Sequence, residues 1–350
     1  MQTCTWAPTT MLRSKLFKSG DPTLSTTVDQ TDLITQGGGP ALVDAFQESV
    51  RALDGLVDNL LVPQRWYGAA DDGGSSFDVF AMSTLFAACT TNINIITAIH
   101  PGFALPAVVA KWGATMDRLS SGRWGINVVS GWKVSEFANF GATLVSHDDC
   151  YRRSAEFIEV LRQAWTGEPT SFQGEYYEVD DLIIDPAPQG DLTIYQGGQS
   201  DAAMNLAAGH SDWMFLNGGS AEKLQPIIAD ASKRAAAEGR ELKFAVTASP
   251  ICRATDAEAH AHVETMIEAI DWEAVNRRRA MTDSVGMWSD WTSKLAALDM
   301  NEGYATGLIG SPDTIRTRIM ELKAVGVDML HLSLGDAMFN QHVLPTIREI

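Results

Sequence analysis

At 350 residues, with 45% apolar and 20% charged side chains, the chain has the composition of a soluble globular protein with ample material for a core. A formal net charge of −18 argues against nucleic acid and anionic membrane surfaces as partners, since both would repel it. Four cysteines (Cys4, Cys89, Cys150 and Cys252) stand far apart with no CxxC pair and no Cys/His cluster, so they read as reduced thiols of a cytoplasmic protein, and no metal site follows.

No stretch reads as a signal peptide or a bilayer span. Residues 2–9 form a short strand. Residues 12–39 are polar, without periodicity, and longer than an ordinary connection, as a lid would be. Pro40 opens a helix in which Leu42, Val43, Phe46, Val50 and Leu53 recur at helical spacing. A second strand spans 59–63, followed by Arg65, Trp66 and Tyr67. A helix over 77–89, a strand over 92–99 and a helix over 106–119 come next. The strand at 125–130 is a buried β-branched run interrupted by Asn127. A helix is expected over 151–165, with Tyr151, Arg152 and Arg153 at its start, where an anion could sit. Residues 174–179 alternate like a hairpin arm.

The fifth main strand spans 192–196, and Gly197, Gly198, Gln199 and Ser200 turn it into a helix. Strands at 213–216 and 243–249 alternate with helices at 221–238 and 256–270. Residues 271–303 fit no repeat and read as an insertion. Ser311 and Pro312 cap a helix that runs to 325, before an eighth strand at 328–334. Eight alternating strands and helices without a composition break predict one α/β domain over 1–350, a single (β/α)8 TIM barrel with insertions. A doubly wound open sheet is the alternative, disfavoured because no GxGxxG follows the first strand.

Such a barrel builds its site at the C-terminal ends of its strands. The turn at 197–200 is the strongest local signal. Its glycines let backbone approach a ligand, and the following helix N-terminus favours an anion. The plain alternative is a tight turn with Ser200 as N-cap. Asn127 either bonds core backbone or points at a bound heterocycle. Arg65 is a candidate cation at the mouth, or a surface Arg against Trp66. His100 is a candidate acid/base group, or a structural histidine beside Pro101 and Gly102.

Three stretches, SGRWGINVVSGW, HDDCYRRSAEF and YQGGQSDAAMNLAAGHSDWMF, resemble the bacterial-luciferase-like, FMN-dependent monooxygenases of two-component systems. The likeness covers roughly residue 41 to the end, with a gap around 275–302, and is greatest to the dimethylsulfone monooxygenases. Pyrimidine and dibenzothiophene-sulfone monooxygenases are near relatives. The resemblance implies FMN as cofactor, reduced by a separate NAD(P)H:FMN reductase, and a homodimer or homotetramer. It puts the FMN phosphate at Gly198, Gln199, Ser200 and Tyr151, and the flavin ring near Asn127, Thr97 and Ala98, often with a non-proline cis bond in the third strand. It casts Asn127, Arg65 and His100 as catalytic and Trp6, Trp66 and Trp132 as pocket walls.

Relatives acting on alkanesulfonates place an Arg and a His on the seventh strand, where this chain reads Phe244 to Ser249 with neither. A sulfonate anion would lack paired cations there, which favours a neutral sulfone-type substrate with C–S cleavage. The alternatives are the same chemistry on a pyrimidine or an alkanesulfonate, or an F420-dependent reductase.

Overall fold

The structure, a computed structural model, describes residues 1–8, 38–66, 76–131, 134–280, 294–295 and 303–350. Its strands, in chain order, are β1 (Gln2–Trp6), β2 (Asn59–Val62), β3 (Asn94–Ile99), β4 (Trp124–Val128), β5 (Thr170–Gln173), β6 (Glu178–Leu182), β7 (Thr193–Gly197), β8 (Trp213–Leu216), β9 (Lys243–Ala248), β10 (Ile251–Cys252), β11 (Ile309–Gly310) and β12 (Met329–Leu332). The helices are α1 (Pro40–Arg51), α2 (Val79–Cys89), α3 (Pro106–Ser120), α4 (Val134–Asn139), α5 (His147–Ala164), α6 (Asp201–His210), α7 (Ala221–Ala237), α8 (Asp256–Ala269), α9 (Trp272–Ala280), α10 (Pro312–Ala324) and α11 (Ala337–His342).

Eight parallel strands close the expected barrel in the order β1, β2, β3, β4, β7, β8, β9, β12 and back to β1. Side chains alternate across each strand. Ile95, Ile99, Ile126, Val128 and Ile194 face the helix layer and form the main core there. Ile96, Ala98, Tyr195, Trp213, Phe215 and Met329 point inward and fill the barrel. On the helix side Phe157, Ile158 and Leu161 of α5 are fully buried. Truncating a buried aromatic such as Phe157 to Ala typically costs about 3–5 kcal/mol.

The helices begin where side chains cap them. Asp78 accepts from the Ala81 amide at 2.9 Å, and Thr255 and Glu258 form a reciprocal capping box on α8. Ser311 and Pro312 start α10 as expected. One boundary moves by a full turn. α5 begins at His147, not Tyr151, because Ser146 caps it and Asp148 and Asp149 favour the positive end of its dipole. Tyr151 therefore lies in the second turn, away from the helix start where an anion would sit.

β5 and β6 form an antiparallel hairpin clasped to α5. Glu156 accepts from the amides of Glu175 and Tyr176, both at 2.8 Å, and of Tyr177 at 3.2 Å. The Tyr177 hydroxyl donates to the Pro101 carbonyl at 2.6 Å. A two-stranded parallel sheet, β10 with β11, and the short helices α4 and α11 were not expected. Segments of two to six residues are too short for any period to show. A satellite core joins Ile251, Val263, Met266, Ile270 and Val275, and packs the described start of the expected insertion, α9, on α8. Most of the expected lid at 12–39 and of the insertion at 271–303 lies outside the described residues, as does Trp132.

Candidate functional site

The turn after β7 brings distant residues together. Gly198 has φ +127°, a conformation side chains resist. A Cβ there would lie 2.8 Å from Ala203 Cβ and 2.9 Å from the Tyr151 hydroxyl. The Ser200 side chain interacts with the Tyr151 hydroxyl, and its own hydroxyl accepts from the Ala203 amide at 3.2 Å as the N-cap of α6. Burial raises the Tyr151 pKa, so the phenol stays a neutral donor. A bare backbone curve, two hydroxyls and a helix N-terminus form a cradle suited to a phosphate.

Asn127 points into the barrel, level with Ala98 on β3 and Tyr195 on β7. It is 7% exposed, and its Oδ1 is buried without a hydrogen-bond partner. An orphaned amide oxygen in an aromatic interior is costly unless a ligand donates to it. Ala98 is inside as expected. The Thr97 side chain is not: it donates to Ser83 Oγ on α2 at 2.8 Å and accepts from Trp124 Nε1 at 2.9 Å. Alternation turns Thr97 toward the helix layer, so its side chain does not reach the ring position expected for it. β3 holds no cis bond; the cis peptide of the described residues is Asp185–Pro186.

His100 is buried at the end of β3. Gln64 Oε1 accepts from its amide at 2.6 Å and lies 2.8 Å from its Nδ1. Because that oxygen only accepts, Nδ1 carries the proton and Nε2 presents a lone pair. Burial, with Arg153 and then Arg65 nearby, lowers the His100 pKa to about 4. The imidazole is neutral at physiological pH. Its ring packs edge-on to Phe103 and Phe137, and Trp66 stacks against Phe103 and Phe140 at 5.4 and 5.3 Å. These rings wall one side of the mouth.

The two arginines of α5 part company. Arg152 is exposed and paired with Asp149 and with Glu175, the latter at 2.8 Å, as a solvated helix face would be. Arg153 is buried over the Phe137 ring at 5.9 Å, with Nε and Nη2 unpartnered. It packs against Gly102, where a Cβ would come within 2.6 Å of Nη2.

Residues absent from the sequence reading complete the interior. His331 on β12 is level with Thr247 on β9 and Cys4 on β1. Its ring meets Trp6 at 4.4 Å and Phe215 at 5.8 Å, and its Nε2 is buried without a partner. The only signal in the chain was a histidine in the apolar run Met329 to Leu332, two residues from Met329 and so on the same face. On this side of the barrel the half-buried Arg253 is paired with Asp336 at 2.9 Å. No cluster of three or more metal-ligating side chains occurs among the described residues.

The family model described as luciferase-like monooxygenase matches residues 35–329. An FMNH2-dependent dimethylsulfone monooxygenase of Pseudomonas fluorescens (strain Pf0-1) is 40% identical over 283 residues, covering 77% of this chain and 78% of that one. Its namesake from Pseudomonas putida is 39% identical over 278 residues, covering 75% and 76%. Among solved structures, EDTA monooxygenase from Chelativorans sp. BNC1 superposes with TM-score 0.75 at 20% identity, over 100% of this chain and 93% of that one, a likeness of fold.

Proposed function

The chain belongs to the luciferase-like monooxygenase family, and from that premise we propose that it is an FMNH2-dependent monooxygenase of a small neutral sulfone. The observation that carries the reading is the cradle at Gly198, facing a barrel interior that holds the orphaned Asn127 oxygen. These residues fit FMN. Gly198, Gln199, Ser200 and Tyr151 hold its phosphate. Asn127 accepts from a ring N–H, and Ala98 leaves room for the ring edge. Thr97 contributes by fixing β3 against α2. Reduced FMN, when bound, activates oxygen so that one of its atoms is inserted into the substrate.

The protein's own groups orient and exclude. Arg65 stands at the mouth to steady negative charge growing on sulfonyl oxygens. His100, held by Gln64, keeps Nε2 as a neutral acceptor for a proton. The wall of Trp66, Phe103, Phe137 and Phe140 keeps water from the mouth. Oxygen insertion at a methyl carbon of dimethyl sulfone gives an α-hydroxy sulfone, which collapses by breaking the C–S bond. Dimethyl sulfone, O2 and FMNH2 thereby yield methanesulfinate, formaldehyde, FMN and water. A neutral substrate agrees with Arg253 being paired to Asp336 and with the absence of Arg and His from β9.

FMNH2 comes from a separate NAD(P)H:FMN reductase acting transiently. The enzyme works in the cytoplasm as a homodimer or homotetramer. No helix among the described residues is long and apolar enough to cross a membrane. The test is turnover of dimethyl sulfone, methanesulfonate and uracil with reduced FMN and oxygen, followed by mass spectrometry. Methanesulfinate from dimethyl sulfone alone is the expected result; product only from uracil or methanesulfonate refutes the substrate class.

A further inference from the structure

His331 occupies the wall opposite Asn127. In the closed ring, β12 and β4 are separated by β9, β8 and β7 on one side and by β1, β2 and β3 on the other. Both residues lie in the C-terminal halves of their strands and point inward. An aromatic chain spans the gap: His331 meets Phe215, Phe215 meets Tyr195 at 5.7 Å, and Tyr195 lies level with Asn127. The flavin ring belongs on the Asn127 side. Among the described residues, the inner surface between Trp6 and Phe215 carries His331, with Thr247 and Cys4 level with it.

That surface matches the chemistry of a dialkyl sulfone. Such a molecule has two strong acceptor oxygens, no donor, no net charge, and methyl groups polarised toward positive. It requires a donor set among aromatic faces, and being neutral it needs no counter-ion to be seated. His331 is 3% exposed, and its unpartnered Nε2 is an expensive group to bury for packing alone. Burial also keeps the ring uncharged, its pKa lowered to about 3.

We propose that His331 seats the substrate, its Nε2–H donating a hydrogen bond to one sulfonyl oxygen while Trp6 and Phe215 enclose the methyl groups. The proposal rests on the sulfone monooxygenase reading above. His331 is a specificity residue: a neutral donor among apolar walls holds a sulfone and offers no charge to a sulfonate, which needs paired cations.

Wild type, His331→Phe, His331→Leu and His331→Gln are compared with dimethyl sulfone, oxygen, and reduced FMN regenerated by an added flavin reductase and NADH. Melting temperature and FMN affinity are measured for each. Removing the donor with Phe is expected to raise KM for dimethyl sulfone about tenfold. The same variant should leave kcat within about threefold and FMN affinity within about twofold. His331→Gln, which keeps an N–H, should recover KM to within about threefold of wild type. A His331→Phe KM within about threefold of wild type overturns the proposal. If that variant does not fold, His331→Leu is read by the same criterion. A wild type that binds FMN but leaves dimethyl sulfone unchanged refutes the substrate reading and this inference with it. Normal wild-type turnover with an indifferent His331 refutes this inference alone.

Discussion

The cradle at Gly198 and the inner wall at Asn127 and His331 hold their polar atoms in opposite conditions. In the cradle, the Ser200 hydroxyl bonds a helix amide beside Tyr151, and the backbone conformation is one that only glycine adopts without strain. On the inner wall, an amide oxygen on the strand next to the cradle and an imidazole nitrogen opposite it are buried among rings with nothing to bond. The first region is complete without its ligand and offers a fixed shape. The second is incomplete, and its missing partners describe the molecules that belong there. On the function proposed above, binding strength is thus concentrated in the cradle, and chemical selectivity in the interior.

The sharpest way to break this division is a charge in the cradle. Ser200→Asp repels a phosphate and removes the hydroxyl beside Tyr151. FMN affinity should fall about 100-fold in a fluorescence titration. Affinity within about threefold of wild type would take the phosphate away from this turn. Next comes Asn127→Ala, which should lower kcat at least about tenfold by releasing the flavin ring. Its melting temperature should hold within about 2 °C, since the oxygen removed bonds nothing in the protein. A large loss of stability instead would make Asn127 a core residue.

Acid separates the regions by a different route. The His100 and His331 pKa values, about 4 and about 3, lie below the ordinary value of 6.5. Between pH 6.5 and about 4 the unfolded chain therefore binds more protons than the folded one. The stability owed to these rings is complete above pH 6.5 and drains away as pH falls through that window. The slope is at most about 1.4 kcal/mol per pH unit for each ring. Melting temperature should drop from pH 7 to pH 5, and His331→Phe should make the drop shallower. A flat profile in wild type would mean that neither ring resists protonation. The smallest effect is expected at Arg152, whose ion pairs face solvent. Arg152→Ala should leave FMN affinity within about twofold and melting temperature within about 2 °C. A tenfold loss of affinity would add Arg152 to the phosphate site.

The two regions also differ in how far they can be read from the chain alone. The turn at Gly197 to Ser200 is contiguous, so its glycines, hydroxyl and following helix sit side by side in the sequence. The eightfold alternation of strands and helices was equally plain, and the barrel closes as it implied. Asn127 stood out as the one amide in an apolar run. Thr97 was misplaced for want of parity: it precedes Ala98, which faces in, so its own side chain faces out. The true start of α5 is also written in the chain, four residues before Tyr151: Ser146 is an ordinary cap, and Asp148 and Asp149 an acidic first turn. His331 was passed over because its meaning depends on three other strands. Its neighbours Trp6, Phe215 and Thr247 lie hundreds or scores of residues away, and only the ring of strands brings them level.

The β5–β6 hairpin carries one further consequence. Its turn hangs on a single carboxylate of α5, and its Tyr177 reaches over to the carbonyl next to His100. The helix that carries Tyr151 and the loop that follows His100 are thus tied by one short strap. On the function proposed above, a shift in either end pulls on the other, and cofactor grip and mouth geometry are mechanically joined.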